Sequence, residues 1–221
     1  MMRSAFQFSR QFPSLSRQFY VWGKVATDPL YAAVHELLAP STEPLLDLGC
    51  GMGVLAFYLR ECGWSGNLLG VDVDGEKIAL ANQLAARYPG KLCFQHTDVT
   101  VDFPDHCGSI TVLDVLQYFT PGLRCSLLQA CAQRLSANGL LVIRSGIRGS
   151  HWRAKVTHWL DRIATRTGWI ATRSEAHPTL EELTAILTNA GLIGSFKPLW
   201  GRTPFHNWLG VFRRPPALAE G

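Results

Sequence analysis

The chain has 221 residues, enough for one domain with a substantial core and marginal for two. Hydrophobic residues make up 47% of it and charged residues 17%, the reverse of the balance that intrinsic disorder needs. A formal net charge of +4 is too weak to indicate a nucleic-acid binder. No apolar stretch reaches the roughly 18 residues of a membrane span, and the six cysteines form no CxxC pair. We therefore expect one soluble, cytoplasmic domain without a bound metal.

Residues 1–27 stand apart because they contain no acidic residue, while Arg3, Arg10, Arg17 and Lys24 recur at every seventh position. On a continuous helix the arginines lie opposite an apolar arc of roughly 80°. That arc comprises Phe8, Phe12, Leu15, Phe19 and Trp22.

Pro13 interrupts this amphipathic segment, because proline breaks a helix interior but suits a first turn. We predict an irregular start and then a helix that opens near Pro13. Three interpretations remain open: a helix packed on the domain, a lid whose aromatic side chains close over a substrate pocket, or a segment for membrane-surface contact or transit.

From residue 28 onward, short apolar runs alternate with amphipathic stretches, the pattern of a parallel, doubly wound sheet. The predicted helices are Leu30–Leu38, Val54–Cys62, Glu76–Arg87 and Leu123–Leu135. The predicted strands are Leu45–Leu48, Leu68–Val73, Leu92–His96, Ile110–Leu113 and Leu140–Ile143.

The last part of the chain has a different rhythm. Thr179 and Glu182 form a capping box for a helix that runs to Asn189. Two strands follow, at Ile193–Leu199 and Asn207–Phe212, close enough in sequence to pair antiparallel. The predicted fold is therefore α/β: a single doubly wound Rossmann-like domain over residues 28–214, with a seven-stranded, mostly parallel sheet, one antiparallel strand in a C-terminal hairpin, and a tail at 215–221.

A glycine loop with flanking acids forms the candidate site. The sequence Asp-Leu-Gly-Cys-Gly-Met-Gly, residues 47–53, connects a predicted strand to a predicted helix, where glycine lets the backbone turn sharply and approach a ligand. Asp72 ends the second strand and can accept bonds from ribose hydroxyls. Asp98 follows the third strand, where a carboxylate can reach an adenine amino group. The order of these features predicts a pocket for an adenosine-containing ligand.

Asp47, at the start of the glycine loop, helps to distinguish between two adenosine-containing ligands. Residues 51–56 also match the dinucleotide fingerprint GxGxxG/A, which favours an NAD(P)-dependent oxidoreductase. However, the carboxylate of Asp47 is unfavourable beside a pyrophosphate and favourable beside the ammonium and sulfonium of S-adenosylmethionine. Methyl transfer is thus preferred to hydride transfer, and a non-catalytic cofactor-binding protein is the third alternative.

These motifs resemble those of class I S-adenosylmethionine-dependent methyltransferases, in the stretches LLDLGCGMG, LLGVDVD, FQHTDV, ITVLDVLQYF and LSANGLLVIR. The resemblance implies that Gly49 and Gly51 line the methionine part of the cofactor and that Asp72 binds its ribose. It also implies that Asp98 and Val99 hold the adenine and that Asp114 lies by the methyl or the ammonium group. The expected cofactor-binding residues are Asp47, Gly49, Cys50, Gly51, Asp72, Val73, Asp98, Val99 and Asp114.

A narrower resemblance concerns the acceptor. KVATDPLY, VLQYF and GRTPFHNWL are similar to stretches of small bacterial methyltransferases in aryl-polyene and related lipid-like pigment pathways. This implies a phenolic or polyene-like acceptor, free or tethered to an acyl carrier protein.

The segment from Arg144 to Arg173 has seven basic residues against the single acid Asp161, and three tryptophans. It fits a solvated basic helix, a surface for an acidic carrier protein or membrane, or a phosphate-binding surface. Nucleic acid is disfavoured, because the sequence Asp-Val-Leu-Gln after strand four lacks the Pro-Pro-aromatic clamp for a flipped base. Candidate catalytic residues for a phenolic acceptor are His151, with His206 as a second base, and Tyr118 as a pocket wall or hydrogen-bond donor.

Overall fold

The computed structural model describes residues 4–148, 177–201 and 206–216. Its helices are α1 (Ala5–Ser9), α2 (Leu15–Thr27), α3 (Leu30–Leu38), α4 (Val54–Glu61), α5 (Gly75–Ala85), α6 (Pro121–Arg134) and α7 (Leu180–Asn189). Its strands are β1 (Leu45–Leu48), β2 (Leu68–Asp72), β3 (Leu92–His96), β4 (Ser109–Leu113), β5 (Leu140–Gly146), β6 (Ile193–Pro198) and β7 (Asn207–Arg213). Within these ranges no helix is both long and apolar enough to cross a membrane.

The strands form one seven-stranded sheet in the order β3-β2-β1-β4-β5-β7-β6. Strands β1 to β5 pair in parallel, and β7 runs antiparallel to both β5 and β6. This confirms the predicted doubly wound sheet with one antiparallel strand. The strand order reverses direction at β1, so the carboxyl end of β1 is the switch point where open α/β sheets bind ligands.

Two apolar clusters cover the two faces of the sheet. Side chains from α1 to α5 build one, and side chains from α6 and α7 build the other. All four residues of β1 are buried, as expected for a parallel strand with helices on both sides. β5 extends three residues beyond its predicted end at Ile143 because it pairs with β7 as far as Gly146.

The N-terminal segment differs from its prediction. Instead of an irregular start, α1 forms at residues 5–9, with a reciprocal capping box between Ser4 and Gln7. α2 begins at Leu15 with Ser14 as its N-cap, so Pro13 precedes the helix rather than occupying its first turn. Because a break separates α1 from α2, the apolar arc of a single continuous helix does not exist.

The five residues of the predicted apolar arc therefore lie in two different environments. Phe8 and Phe12 are buried and pack edge-on against Tyr58 and Phe57 of α4, at ring-centroid distances of 6.2 and 6.3 Å. Leu15, Phe19 and Trp22 on α2 remain 72%, 67% and 43% exposed. The first part of the segment packs on the domain, whereas this face of α2 is open to solvent.

Candidate functional site

The glycine loop follows β1 at the switch point and is fixed to the neighbouring strand. The amides of Gly49 and Cys50 both donate to the Val71 carbonyl of β2, at 2.8 and 3.0 Å. Gly49, Gly51 and Gly53 have φ angles of 73°, 54° and 74°, a backbone region that strongly favours glycine. The loop therefore has the tight, left-handed course that its sequence predicts.

The loop glycines differ in what lies in front of them. A Cβ on Gly49 would lie 2.3 Å from Val115 Cγ1, and one on Gly53 would lie 2.8 Å from Phe94 Cζ, so these two positions require close packing. A Cβ on Gly51 would meet only Lys77 Cδ, at 3.9 Å. The space in front of Gly51 is thus open to a ligand that approaches the backbone.

Asp72 lies at the end of β2, directly beside this loop. Its Oδ2 accepts a hydrogen bond from the Gly51 amide at 2.8 Å, and its Oδ1 accepts one from the Asp74 amide at 2.9 Å. A carboxylate offers about four acceptor sites, so each oxygen can also accept a ribose hydroxyl. Asp72 therefore orders the loop and fits the predicted ribose-binding role.

Asp47 is the buried acid of the site, with 3% of its surface exposed. Burial raises the pKa of its carboxyl to about 7; a hydrogen bond from the Thr111 hydroxyl opposes this shift, and the charge of Asp72 adds to it. The Thr111 Oγ1 to Asp47 Oδ1 distance is 2.7 Å. A cationic ligand beside the loop would favour the ionised form of this carboxyl.

We expect the substitution Asp47→Asn to flatten the pH dependence of stability between about pH 4 and pH 7. The protonated carboxyl is favoured in the folded chain up to a pKa of about 7, but the unfolded chain ionises near pH 4. Its stabilising contribution is therefore complete below pH 4 and is lost as the pH rises to 7, a change on the order of 2–4 kcal/mol. Urea unfolding at pH 4 to 7.5 measures it. Identical pH profiles for Asp47→Asn and the unsubstituted chain would contradict the assignment, and Asp102→Asn, an exposed acid, is the matched control.

The remaining predicted cofactor residues lie around the same sheet edge. Asp72 pairs in register with His96 of β3, which places Asp98 just beyond the adjacent strand end. The Asp98 carboxylate is exposed, and its pKa is lowered by bonds from the Thr100 hydroxyl and amide. Val73 is 57% exposed, and Val99 is half-buried. Cys50 is buried, and burial raises the pKa of its thiol, so it fits a wall of the pocket rather than a nucleophile.

Asp114 follows β4 and is the one non-glycine residue with a left-handed backbone in the described ranges, at φ 58°. Arg144 Nη1 donates to Asp114 Oδ2 at 2.9 Å, and Lys24 Nζ of α2 lies 3.7 Å from the same oxygen. Strained backbone of this kind is typical of functional sites. The Asp114 carboxylate, expected near the methyl or ammonium group, is thus held by two cations of the chain itself.

Arg144 also joins the N-terminal segment to the sheet. Its side chain is 2% exposed, and the same Nη1 donates to Asp28 Oδ2 at 2.8 Å. The four residues Asp28, Arg144, Asp114 and Lys24, here termed the edge network, connect α2 to the carboxyl ends of β4 and β5. Arg144 was expected within a basic surface segment; it lies instead in β5, because the strand extends beyond its predicted end.

Two tyrosines adjoin the edge network, and sequence reasoning missed them. The Lys24 ammonium lies 5.5 Å from the centre of the Tyr20 ring. Interaction with Tyr20, with smaller contributions from Tyr31 and Asp114, raises the pKa of Lys24, so this side chain remains a cation. Burial raises the pKa of Tyr31 far above its usual value, which keeps it a neutral phenol. Tyr20 lies in none of the motifs described above. Tyr31 ends the stretch KVATDPLY, but that resemblance gave it no role.

Of the candidate catalytic residues, the structure describes Tyr118 and His206. Tyr118 is half-buried in a 3-10 turn (Leu116–Tyr118) just after Asp114, and Arg124 fixes this turn by donating to the carbonyls of Leu116 and Phe119. His206 lies beside the end of β5, where one ring nitrogen bonds the Ile147 carbonyl at 3.1 Å and the other bonds Trp208 Nε1 at 3.4 Å. These partners favour a structural role for His206. His151 and the basic segment beyond Arg148 lie outside the described residues.

Part of the chain is similar in sequence to known methyltransferases. Residues 45–139 match a family model described as a methyltransferase domain. The ribosomal protein L11 methyltransferase of Burkholderia thailandensis is 36% identical over 75 residues, which cover 33% of this chain and 22% of that protein.

Two solved structures extend the similarity to nearly the whole chain. Magnesium protoporphyrin IX methyltransferase from Synechocystis PCC 6803 with bound SAH aligns with 94% of this chain and 92% of its own, at a TM-score of 0.67 and 17% identity. The second is the N-methyltransferase NodS from Bradyrhizobium japonicum WM9, in complex with S-adenosyl-l-homocysteine. The alignment covers 96% of this chain and 100% of the NodS chain, at a TM-score of 0.63 and 19% identity. The chain has the Rossmann-like methyltransferase fold.

Within the methyltransferase fold, the matched region runs from β1 to the turn before β5 and includes every predicted cofactor-binding residue. Both of these neighbouring structures were solved with bound S-adenosylhomocysteine. The curated relative is matched over about a fifth of its length, 22%. Its own substrate therefore gives no guide to the acceptor of this chain.

Proposed function

We propose that this chain transfers the methyl group of S-adenosylmethionine to a small apolar acceptor, aromatic or lipid-like. The observation that carries the proposal is the set of acids around the glycine loop: Asp47 is buried behind it, and Asp72 bonds the Gly51 amide in front. Lys77, the nearest side chain to Gly51, is already paired with Asp74 at 2.9 Å. Such surroundings favour a cationic ligand over the pyrophosphate of NAD(P).

Different residues at this edge would bind different parts of the cofactor. We assign the ribose to Asp72, the methionine part to the backbone of Gly49 and Gly51, and the adenine to Asp98 and Val99. The cofactor supplies an already activated methyl group, so the protein has to align the acceptor and exclude water. Positioning of this kind can contribute about 7–11 kcal/mol to catalysis.

We further propose that α2 covers the acceptor side of the pocket. The edge network supports this, because Lys24 of α2 lies by Asp114, and Asp28, the C-cap of α2, pairs with Arg144. Tyr20 lies one turn before Lys24 and places an aromatic ring next to the ammonium. An ammonium beside an aromatic wall favours a phenolate acceptor, since a nearby positive charge lowers the pKa of a phenol.

A phenolic acceptor also needs a group that removes its proton. We propose Tyr118 as a pocket wall or hydrogen-bond donor and His151 as the candidate base. We also propose an acyl carrier protein as the donor of a tethered acceptor, supported by the six basic residues and single acid within residues 148–173.

A methyl-transfer assay on matched acceptors tests this function. We expect labelled methyl from S-adenosylmethionine to appear in apolar phenols and not in their non-phenolic analogues. Lys24→Met should raise the acceptor KM by about tenfold or more at unchanged S-adenosylhomocysteine affinity, as expected for loss of a charge-assisted contact. Arg17→Met is the control, because Arg17 is a basic residue seven positions before Lys24 on the same helix. Cofactor binding without transfer to any apolar acceptor would instead favour a non-catalytic binding protein.

A further inference from the structure

Helix α2 has three distinct faces, and one of them has no role in the site. Val21 is fully buried, and Val25 packs against the same core cluster. Lys24 faces Asp114 across 3.7 Å. The third face comprises Leu15, Phe19 and Trp22, spaced i, i+4 and i+7, with exposures of 72%, 67% and 43%. We call these three residues the α2 stripe.

The surroundings of the α2 stripe are basic. Residues 4–27 contain no acid. A groove of about 300 Å³ is lined by Arg10, Gln11, Gln18 and Arg87, among others, and both arginines are exposed. Arg87 of the turn after α5 reaches this groove and donates to the Gln11 carbonyl at 3.4 Å.

The groove and the α2 stripe are adjacent on the same helix. Gln18 lines the groove and lies three residues after Leu15 and four before Trp22, so it occupies the neighbouring position on the helix surface. Two guanidinium groups and a row of large apolar side chains therefore lie side by side. Guanidinium matches phosphate oxygens, and aromatic side chains favour the boundary between headgroups and acyl chains.

We propose that the α2 stripe docks on the surface of an anionic bilayer, with Leu15, Phe19 and Trp22 below the headgroups and Arg10 and Arg87 on lipid phosphates. Charge complementarity favours lipid over a second copy of the chain, because two copies would bring these arginines together. An interfacial helix of this type lies in the membrane plane and binds through apolar burial plus electrostatic attraction. The inference concerns an interaction surface and does not depend on the proposed methyl transfer.

Vesicle co-sedimentation of the full chain tests the proposal, with phosphatidylcholine vesicles and vesicles that contain phosphatidylglycerol as the two probes. We expect binding to the anionic vesicles, weakened by salt, and little binding to the neutral ones. Leu15→Ser, Phe19→Ser and Trp22→Ser combined should weaken it by about tenfold or more, and Arg10→Gln with Arg87→Gln should remove the preference for anionic lipid.

The controls separate docking from misfolding and from self-association. Leu123→Ser replaces an apolar side chain that is 45% exposed on another surface, so it should leave vesicle binding unchanged. Melting temperatures should stay near that of the unsubstituted chain, since the α2 stripe has no core role. Absence of binding to either vesicle type would overturn the proposal. So would equal binding by the triple variant, or a dimer in solution that the triple variant abolishes.

Discussion

Asp72→Ala should weaken the binding of S-adenosylhomocysteine by about 10²- to 10⁴-fold. Two charge-assisted hydrogen bonds to the ribose would be lost, each worth about 1.5–3 kcal/mol. The same carboxylate also accepts hydrogen bonds from the amides of Gly51 and Asp74, at 2.8 and 2.9 Å. Its removal therefore also deletes the hydrogen bond that holds the glycine loop to β2. Isothermal titration calorimetry at constant pH and salt measures the combined effect.

Two further variants separate these contributions. Asp72→Asn retains an acceptor oxygen for one loop amide but loses the negative charge, and we expect it to fall between the alanine variant and the unsubstituted chain. Asp102→Ala removes an exposed acid beyond β3 and should bind like the unsubstituted chain. An unchanged dissociation constant for Asp72→Ala would show that Asp72 is not the ribose ligand.

Phe12→Ala should lower the free energy of unfolding by about 3–5 kcal/mol, the usual cost of deleting a buried aromatic side chain. Phe12 is 0% exposed and packs on Phe57 of α4, so the substitution leaves a cavity between the N-terminal segment and the domain. Chemical denaturation with a constant m-value measures the change.

Phe19→Ala is the matched control for this prediction. Phe19 belongs to the same predicted apolar arc but is 67% exposed, so its removal should change stability by no more than about 0.5 kcal/mol. Equal destabilisation by both variants would contradict the division of the N-terminal segment into a packed part and an open face. It would also count against the α2 stripe as a docking surface.

The sequence predicts the sheet well because its signals are local. Glycine, proline and acids mark the strand ends, and short apolar runs that alternate with helical stretches are typical of a parallel sheet with helices on both sides. The loop at 47–53 and Asp72 follow from the same logic, since adjacent parallel strands end at one edge. In the structure the Gly51 amide donates to Asp72 Oδ2 at 2.8 Å, a contact that joins the two neighbouring strand ends.

The edge network could not be predicted in the same way. Asp28 and Arg144 are separated by 116 residues, and no periodicity relates them. In the structure Leu113 pairs in register with Arg144, which brings the residue after β4 beside an arginine. The predicted strand ended at Ile143, so the sequence pattern did not include this pair. The division of the N-terminal arc was also hidden, because periodicity assumes one continuous helix and the break at residues 10–14 changes the helical phase.

The most direct test of the proposed function is a pair of calorimetric titrations of the unsubstituted chain, one with S-adenosylhomocysteine and one with NAD⁺. Acids around the glycine loop, with Lys77 held by Asp74, predict saturable binding of S-adenosylhomocysteine and no measurable heat with NAD⁺. Saturable NAD⁺ binding in the absence of S-adenosylhomocysteine binding would contradict the account and favour a nicotinamide-dependent oxidoreductase.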